Sequence, residues 1–164
     1  MNPLPRINWL RWWWPVLLWA ALIFSASSDS FSGEHTSRFL IPLLHWLFPA
    51  LASDRLAELH LLLRKLAHVG EYLVFSMLLV RGIRSGRRGW RLDWAIAAVA
   101  AAAGWAGLDE LHQAFVPSRG PSMIDVFIDT CGAIAGQFVF AAAAALRSRW
   151  SEGAAGVDGT PPIV

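Results

Sequence analysis

Four apolar segments punctuate the chain, at roughly 12–26, 66–80, 92–115 and 123–146, and the polar residues gather between them. A helix needs about 20 predominantly apolar residues to cross the hydrocarbon of a bilayer. The third and fourth segments reach that length. The first and second do so only when extended back to about Trp9 and Leu59. Between these two, 39–51 is apolar but too short to span, and it carries Pro42 and Pro49, so it reads as an interfacial or re-entrant piece. The stretch 54–65 predicts an amphipathic helix running into the second segment, with Ser53 or Asp54 as its N-cap. From Ser151 onward the chain is rich in Gly, Pro and Ala, which predicts a disordered tail over 151–164 behind one membrane domain over 1–150. No internal repeat is visible. The pattern predicts an all-α, polytopic bundle of four transmembrane helices.

Composition points the same way. The chain is 55% apolar and 16% charged, against about 25% charge in an ordinary soluble domain. A single cysteine, Cys131, excludes an intrachain disulfide and a cysteine-based zinc site, and reads as a small core residue. A net charge of +2 gives little support to a nucleic-acid partner.

The placement of charge says more than its sum. Arg6 and Arg11 precede the first segment, Arg81, Arg84, Arg87, Arg88 and Arg91 fill the connection between the second and third, and Arg147 and Arg149 follow the fourth. The positive-inside rule puts all three groups in the cytoplasm, and with them both termini. Trp9, Trp12, Trp13, Trp14, Trp90, Trp94 and Trp150 fall at the same boundaries, where indole rings favour the membrane interface. The basic start, apolar core and Ser25-Ala26-Ser27 exit of the first segment also fit a cleaved signal peptide, which would leave three spans.

This topology delivers polar groups to one depth near the outer leaflet. Ser27, Ser28 and Asp29 end the first span; Lys65, His68, Glu71 and Tyr72 open the second; Asp109, Glu110 and Gln113 end the third. Arg119 lies in the short outer loop, and Asp125 and Asp129 open the fourth span. Residues three and four apart share a helix face. Lys65, His68 and Tyr72 follow that spacing, as do Asp109 with Gln113 and Asp125 with Asp129, the last pair in line with Gly132 and Gly136. A Gly-xxx-Gly pair lets two helix backbones approach closely, and contact there would draw Asp125 into the bundle. The acids Glu71, Asp109, Glu110, Asp125 and Asp129 outnumber the nearby cations Lys65, Arg119 and His68. Protonation of some acids, a paired network, or a bound divalent cation would each resolve the excess. Structural roles compete: Glu71 as an ion-pair partner, His68 as a packing residue, and Asp125 as the N-cap of the fourth helix, with Ser122 as its rival.

Lys65-xx-His68-xx-Glu71-Tyr72, then Asp109-Glu110-x-His112-Gln113-x-Phe115-x-Pro117-x-Arg119, then Asp125 and Gly132-xxx-Gly136, resembles the VanZ-like family of bacterial membrane proteins. Phe24-Ser25-x-Ser27-Ser28 at the exit of the first span is similar too, and the resemblance covers about 15–146. One departure is Asp129, where the family pattern more often has Asn. The resemblance implies a multi-pass protein of the bacterial cytoplasmic membrane with a role in the cell envelope. The family's namesake is associated with resistance to the lipoglycopeptide teicoplanin, a property of a few members.

Two readings follow. In one, the chain binds a membrane lipid, a lipid-linked envelope component or a lipopeptide, and the polar cluster is a recognition site or internal brace. In the other it is a membrane-embedded enzyme, metal-dependent or not. There Lys65 and Arg119 would hold an anionic headgroup, His68, Tyr72 and Gln113 would line the site, and Glu71, Asp109, Glu110 and Asp125 would act as base or ligands. The sequence does not decide whether the chain is catalytic. A transporter is disfavoured by the lack of a broken-helix pair or inverted repeat.

Overall fold

The computed structural model describes residues 9–28, 33–116 and 120–157, with the backbone alone at 33–35 and 151–157. Among these residues there are helices and no strands: α1 (Trp9–Ala26), α2 (Gly33–Leu47), α3 (Ser53–Arg84), α4 (Leu92–Gln113) and α5 (Met123–Val157). Two of them, α3 and α5, are long and apolar enough to cross a membrane by length and composition.

The hub is α3, which packs against each of the other helices and most extensively against α5. No Pro or Gly interrupts it before Gly70, so the amphipathic stretch 54–65 and the second apolar segment form one continuous helix. Its N-cap is Ala52, without a side-chain cap, rather than Ser53 or Asp54; Asp54 sits in the first turn, where a carboxylate favours the positive end of the helix dipole. At the other end Ser85 turns into the left-handed region (φ 47°) and its N–H donates to the Gly82 carbonyl. Gly86 follows at φ +84°, where a Cβ would lie 2.8 Å from the Trp12 ring.

Contacts fix the helix directions. Trp12 at the start of α1 meets Arg81 at the end of α3, while Trp19 donates from Nε1 to the Glu71 carbonyl at 3.0 Å. These two helices are therefore antiparallel. In α4, Trp105 lies against Phe75 and Trp94 lies under Arg87, so α4 also opposes α3. In contrast, α5 runs parallel to α3: His68 faces Asp129 and Ser76 faces Gln137.

Two devices let these helices close. On α4, Ala95, Ala98, Ala102 and Ala106 repeat at helical spacing and are buried, continuing into Asp109 and Gln113. On α5, a Cβ at Gly132 would lie 2.5 Å from the Val69 carbonyl oxygen, and one at Gly136 would meet that of Leu73 as tightly. The Gly-xxx-Gly pair thus seats α5 directly on the α3 backbone. Tyr72, Phe75, Leu79 and Val80 of α3 fill the core between Val16, Ala20 and Ile23 of α1 and the alanines of α4.

The apolar stretch 39–51 is mostly the helix α2, which contains Pro42 and packs on α3. Cys131 is exposed rather than in the core, because the side of α5 it occupies faces away from α3. Helix α5 continues to Val157, past the boundary placed at 150; the rest of the tail, 158–164, lies outside the described residues.

One end of the bundle is an Arg/Trp belt. Pro15 has no N–H to give to the Arg11 carbonyl, and Arg81 donates to that oxygen at 3.4 Å and to the Trp12 carbonyl at 3.2 Å. The Arg81 guanidinium also lies over the Trp12 ring, Arg87 and Arg91 over Trp94, and Arg84 over Phe140.

Candidate polar site at the far end of the bundle

The opposite end holds the polar cluster. His68 lies roughly 24 Å along α3 from Arg84, and Asp109 roughly 22 Å along α4 from Trp94, at about 1.5 Å of rise per residue. These rises match each other and fall within the about 30 Å of a bilayer's hydrocarbon.

Asp109 bridges two helices. It accepts from Ser27 Oγ at the end of α1 (2.5 Å) and from Gln113 Nε2, one turn on in α4 (2.9 Å); Gln113 also reaches Ser27 Oγ at 3.4 Å. All three are buried. Glu110 accepts the backbone N–H of Ser122 at 2.6 Å, tying the end of α4 to the start of α5. Ser122 in turn is the N-cap of α5, since its Oγ accepts the N–H of Asp125 at 3.3 Å. Asp125 is therefore not the cap. It remains half-buried, and the residue drawn into the bundle is Asp129, 2% exposed. The glycine contacts explain this: Asp129 lies on the α5 face that presses on Val69, and Asp125 lies a turn nearer the helix start.

Asp129 Oδ1 lies 3.3 Å from His68 Nδ1, within ion-pair range though not aligned as a hydrogen bond. Two turns along the same seam, Gln137 donates to the Ser76 carbonyl at 3.0 Å and to Ser76 Oγ at 2.6 Å. Tyr72 lies between these pairs, fully buried, edge-on to Phe75, with its hydroxyl without a hydrogen-bond partner. Of the acids, Asp109 and Glu110 thus meet neutral donors, and Asp129 faces an imidazole. Among the described residues no three His, Cys, Asp or Glu side chains come together as a metal-holding group.

A pocket of about 260 Å³ opens beside this network, between the end of α1, α2 and the first half of α3. Its polar wall is formed by Ser27, His60, Arg64, His68 and Glu71, and its apolar wall by Leu40, Leu63 and Ala67. His60 and Arg64 carried no motif in the sequence reading. Their signal is spacing: His60, Arg64 and His68 are four residues apart, one stripe of the helix that runs from the amphipathic stretch into the second apolar segment. Lys65 itself is exposed and outside the pocket. The antiparallel register set by Phe75 and Trp105 places Lys65 level with chain past Gln113, where α4 has ended. Arg119 and Asp29 lie outside the described residues. His112 stacks on Phe24, with ring centroids 4.3 Å apart.

The sequence model of the VanZ/LLP1 family matches residues 12–144, a stretch that takes in the helix bundle and every described residue of the polar cluster. No curated protein and no solved structure gave a match to the chain.

Proposed function

The chain belongs to the VanZ/LLP1 family, and from that premise we propose that it is a multi-pass protein of the bacterial cytoplasmic membrane that binds an amphiphile by its headgroup near the outer leaflet. In this reading α1, α3, α4 and α5 cross the bilayer, both termini are cytoplasmic, and α2 lies at the outer interface. The Arg/Trp belt supports the orientation, since basic residues and indoles mark a cytoplasmic boundary. At 18 and 22 residues, α1 and α4 rise about 27 and 33 Å. Both reach from the belt to the polar cluster, as the Arg81–Trp12 and Ser27–Asp109 contacts require.

The observation that carries the reading is the pocket. One wall is apolar and the other holds Arg64, His60 and His68, which suits a molecule with an acyl chain and a polar or anionic headgroup. Exposed Phe39, Trp46 and Leu47 give further apolar surface to α2, the helix that carries Leu40 into the pocket. A membrane phospholipid, a lipid-linked envelope precursor and a lipopeptide share that chemistry.

Native mass spectrometry of the purified protein tests the reading. Short-chain phosphatidylglycerol, phosphatidylethanolamine and a lipoglycopeptide are titrated separately. At least one should bind stoichiometrically, and His60→Gln with Arg64→Gln should weaken it tenfold or more. Absence of binding, or equal binding by the double variant, would overturn the proposal. The ligand retained says whether the natural occupant is a lipid or an antibiotic-like lipopeptide.

A further inference from the structure

We infer that His68 and Asp129 form a proton-transfer pair, with His68 as proton acceptor for an O–H group held in the pocket and Asp129 as the residue that positions it. The inference rests on the pocket being the ligand site. His68 lines that pocket from α3, and its Nδ1 lies 3.3 Å from the Asp129 carboxylate on α5. The two nitrogens lie on different edges of an imidazole, so turning Nδ1 toward α5 leaves Nε2 for the pocket. A carboxylate accepting from Nδ1–H selects the tautomer in which Nε2 carries a lone pair.

The pairing is built into the helix packing. Gly132, the turn after Asp129, seats on the backbone of Val69, the neighbour of His68. That contact fixes the distance between the two side chains. Asp129 is 2% exposed, so its charge is poorly screened by water and acts strongly on the imidazole beside it. The lack of hydrogen-bond alignment between the two is ordinary for an acid–base pair without its ligand. The proton balance is simple. The O–H proton of a water or headgroup hydroxyl passes to Nε2, the oxygen keeps the bonding electron pair, and the imidazolium is balanced by Asp129.

Histidine-labelled protein in nanodiscs at pH 8 tests the pair through ¹⁵N shifts, with the His68 signal assigned by its loss in His68→Gln. His68 should show a protonated Nδ1 and a bare Nε2, and the proton should move to Nε2 in Asp129→Leu. A bare Nδ1 or a doubly protonated ring in the wild type overturns the inference, whether or not Asp129→Leu folds. So does an unchanged tautomer in folded Asp129→Leu. As a second readout, carbethoxylation of His68, followed by peptide mass, should slow at least fivefold in Asp129→Asn; an equal rate contradicts the pairing. Protection of His68 by short-chain phosphatidylglycerol reports separately on the pocket. The expected tautomer without protection by any amphiphile would keep the pair and remove the ligand site.

Discussion

Ser27 does more than mark the end of the first apolar segment. Its hydroxyl donates to a buried carboxylate, Asp109, whose other oxygen has no hydrogen-bond partner. Removing a donor from a buried acceptor costs about 1–3 kcal/mol, because the acceptor stays desolvated. Ser27→Ala should therefore lower stability by that amount, read as reduced thermal unfolding temperature in detergent. Ser28→Ala should cost much less, since among the described residues its hydroxyl donates to the exposed Ser25 carbonyl one turn back. Equal effects of the two would remove the bridge between α1 and α4. At this scale the sequence identified most members of the cluster but not their partners. Asp109 and Gln113 were legible as one face because helix spacing alone places them. Glu110 holding the Ser122 N–H was not, because that contact depends on how the chain returns from α4 to α5. Asp125 was expected to be the residue drawn into the bundle, and the depth of the glycine contact brings in Asp129 instead.

Among the helices, the closest approach is that of α5 to α3. An added methyl at Gly132 would meet backbone, which cannot rotate away, so the helices must part. Overpacking of this kind costs about 1–3 kcal/mol, partly offset by the gain of about 0.5–1 kcal/mol for Ala over Gly inside a helix. Gly132→Ala should be destabilising, and it should also widen the His68–Asp129 pair. Gly104→Ala, on a face of α4 with nothing within 4 Å of the new Cβ, should be neutral or stabilising. A paired unfolding experiment in one detergent decides it, and matching melting shifts would contradict the seat on Val69. The Gly-xxx-Gly spacing was visible in the sequence, and the packing uses it as the spacing suggests. That 54–65 runs as a helix into the second segment was legible too, though not from hydropathy. Hydropathy falls at His60, Arg64 and Lys65, so a search for apolar runs stops there. The backbone does not stop, since nothing in that stretch breaks a helix. The amphipathic stretch runs on into the second segment as expected, and it is this continuity that brings His60 and Arg64 to the pocket beside His68.

For the whole molecule the open choice is between two and four crossings. Among the described residues, α3 and α5 alone are long and apolar enough by composition. If they alone crossed, the chain between Arg84 and Met123 would stay on one side, α1 and α4 would lie along the membrane, and α5 would run antiparallel to α3, whereas the two are parallel. The contacts argue against that. The start of α1 is tied to the belt by Arg81, its end to Asp109 by Ser27, and α4 runs the same course with its buried alanines against α3 and α5. In the proposed arrangement a helix held at both ends of the bundle crosses with it. Single cysteines in a Cys131→Ser background separate the two arrangements in spheroplasts treated with a membrane-impermeant maleimide. With four crossings, Ala50→Cys and Gly120→Cys label in intact cells, while Ser85→Cys and Ser148→Cys label only after permeabilisation. With two, Gly120 sides with Ser85, and Ser148 sides with Ala50. That second pattern would leave the polar cluster without a common depth and would remove the physical basis for an outer-leaflet ligand site. The first would put Asp109, Glu110 and Asp129 beneath the outer surface, close enough to meet a headgroup and deep enough to do so away from bulk water.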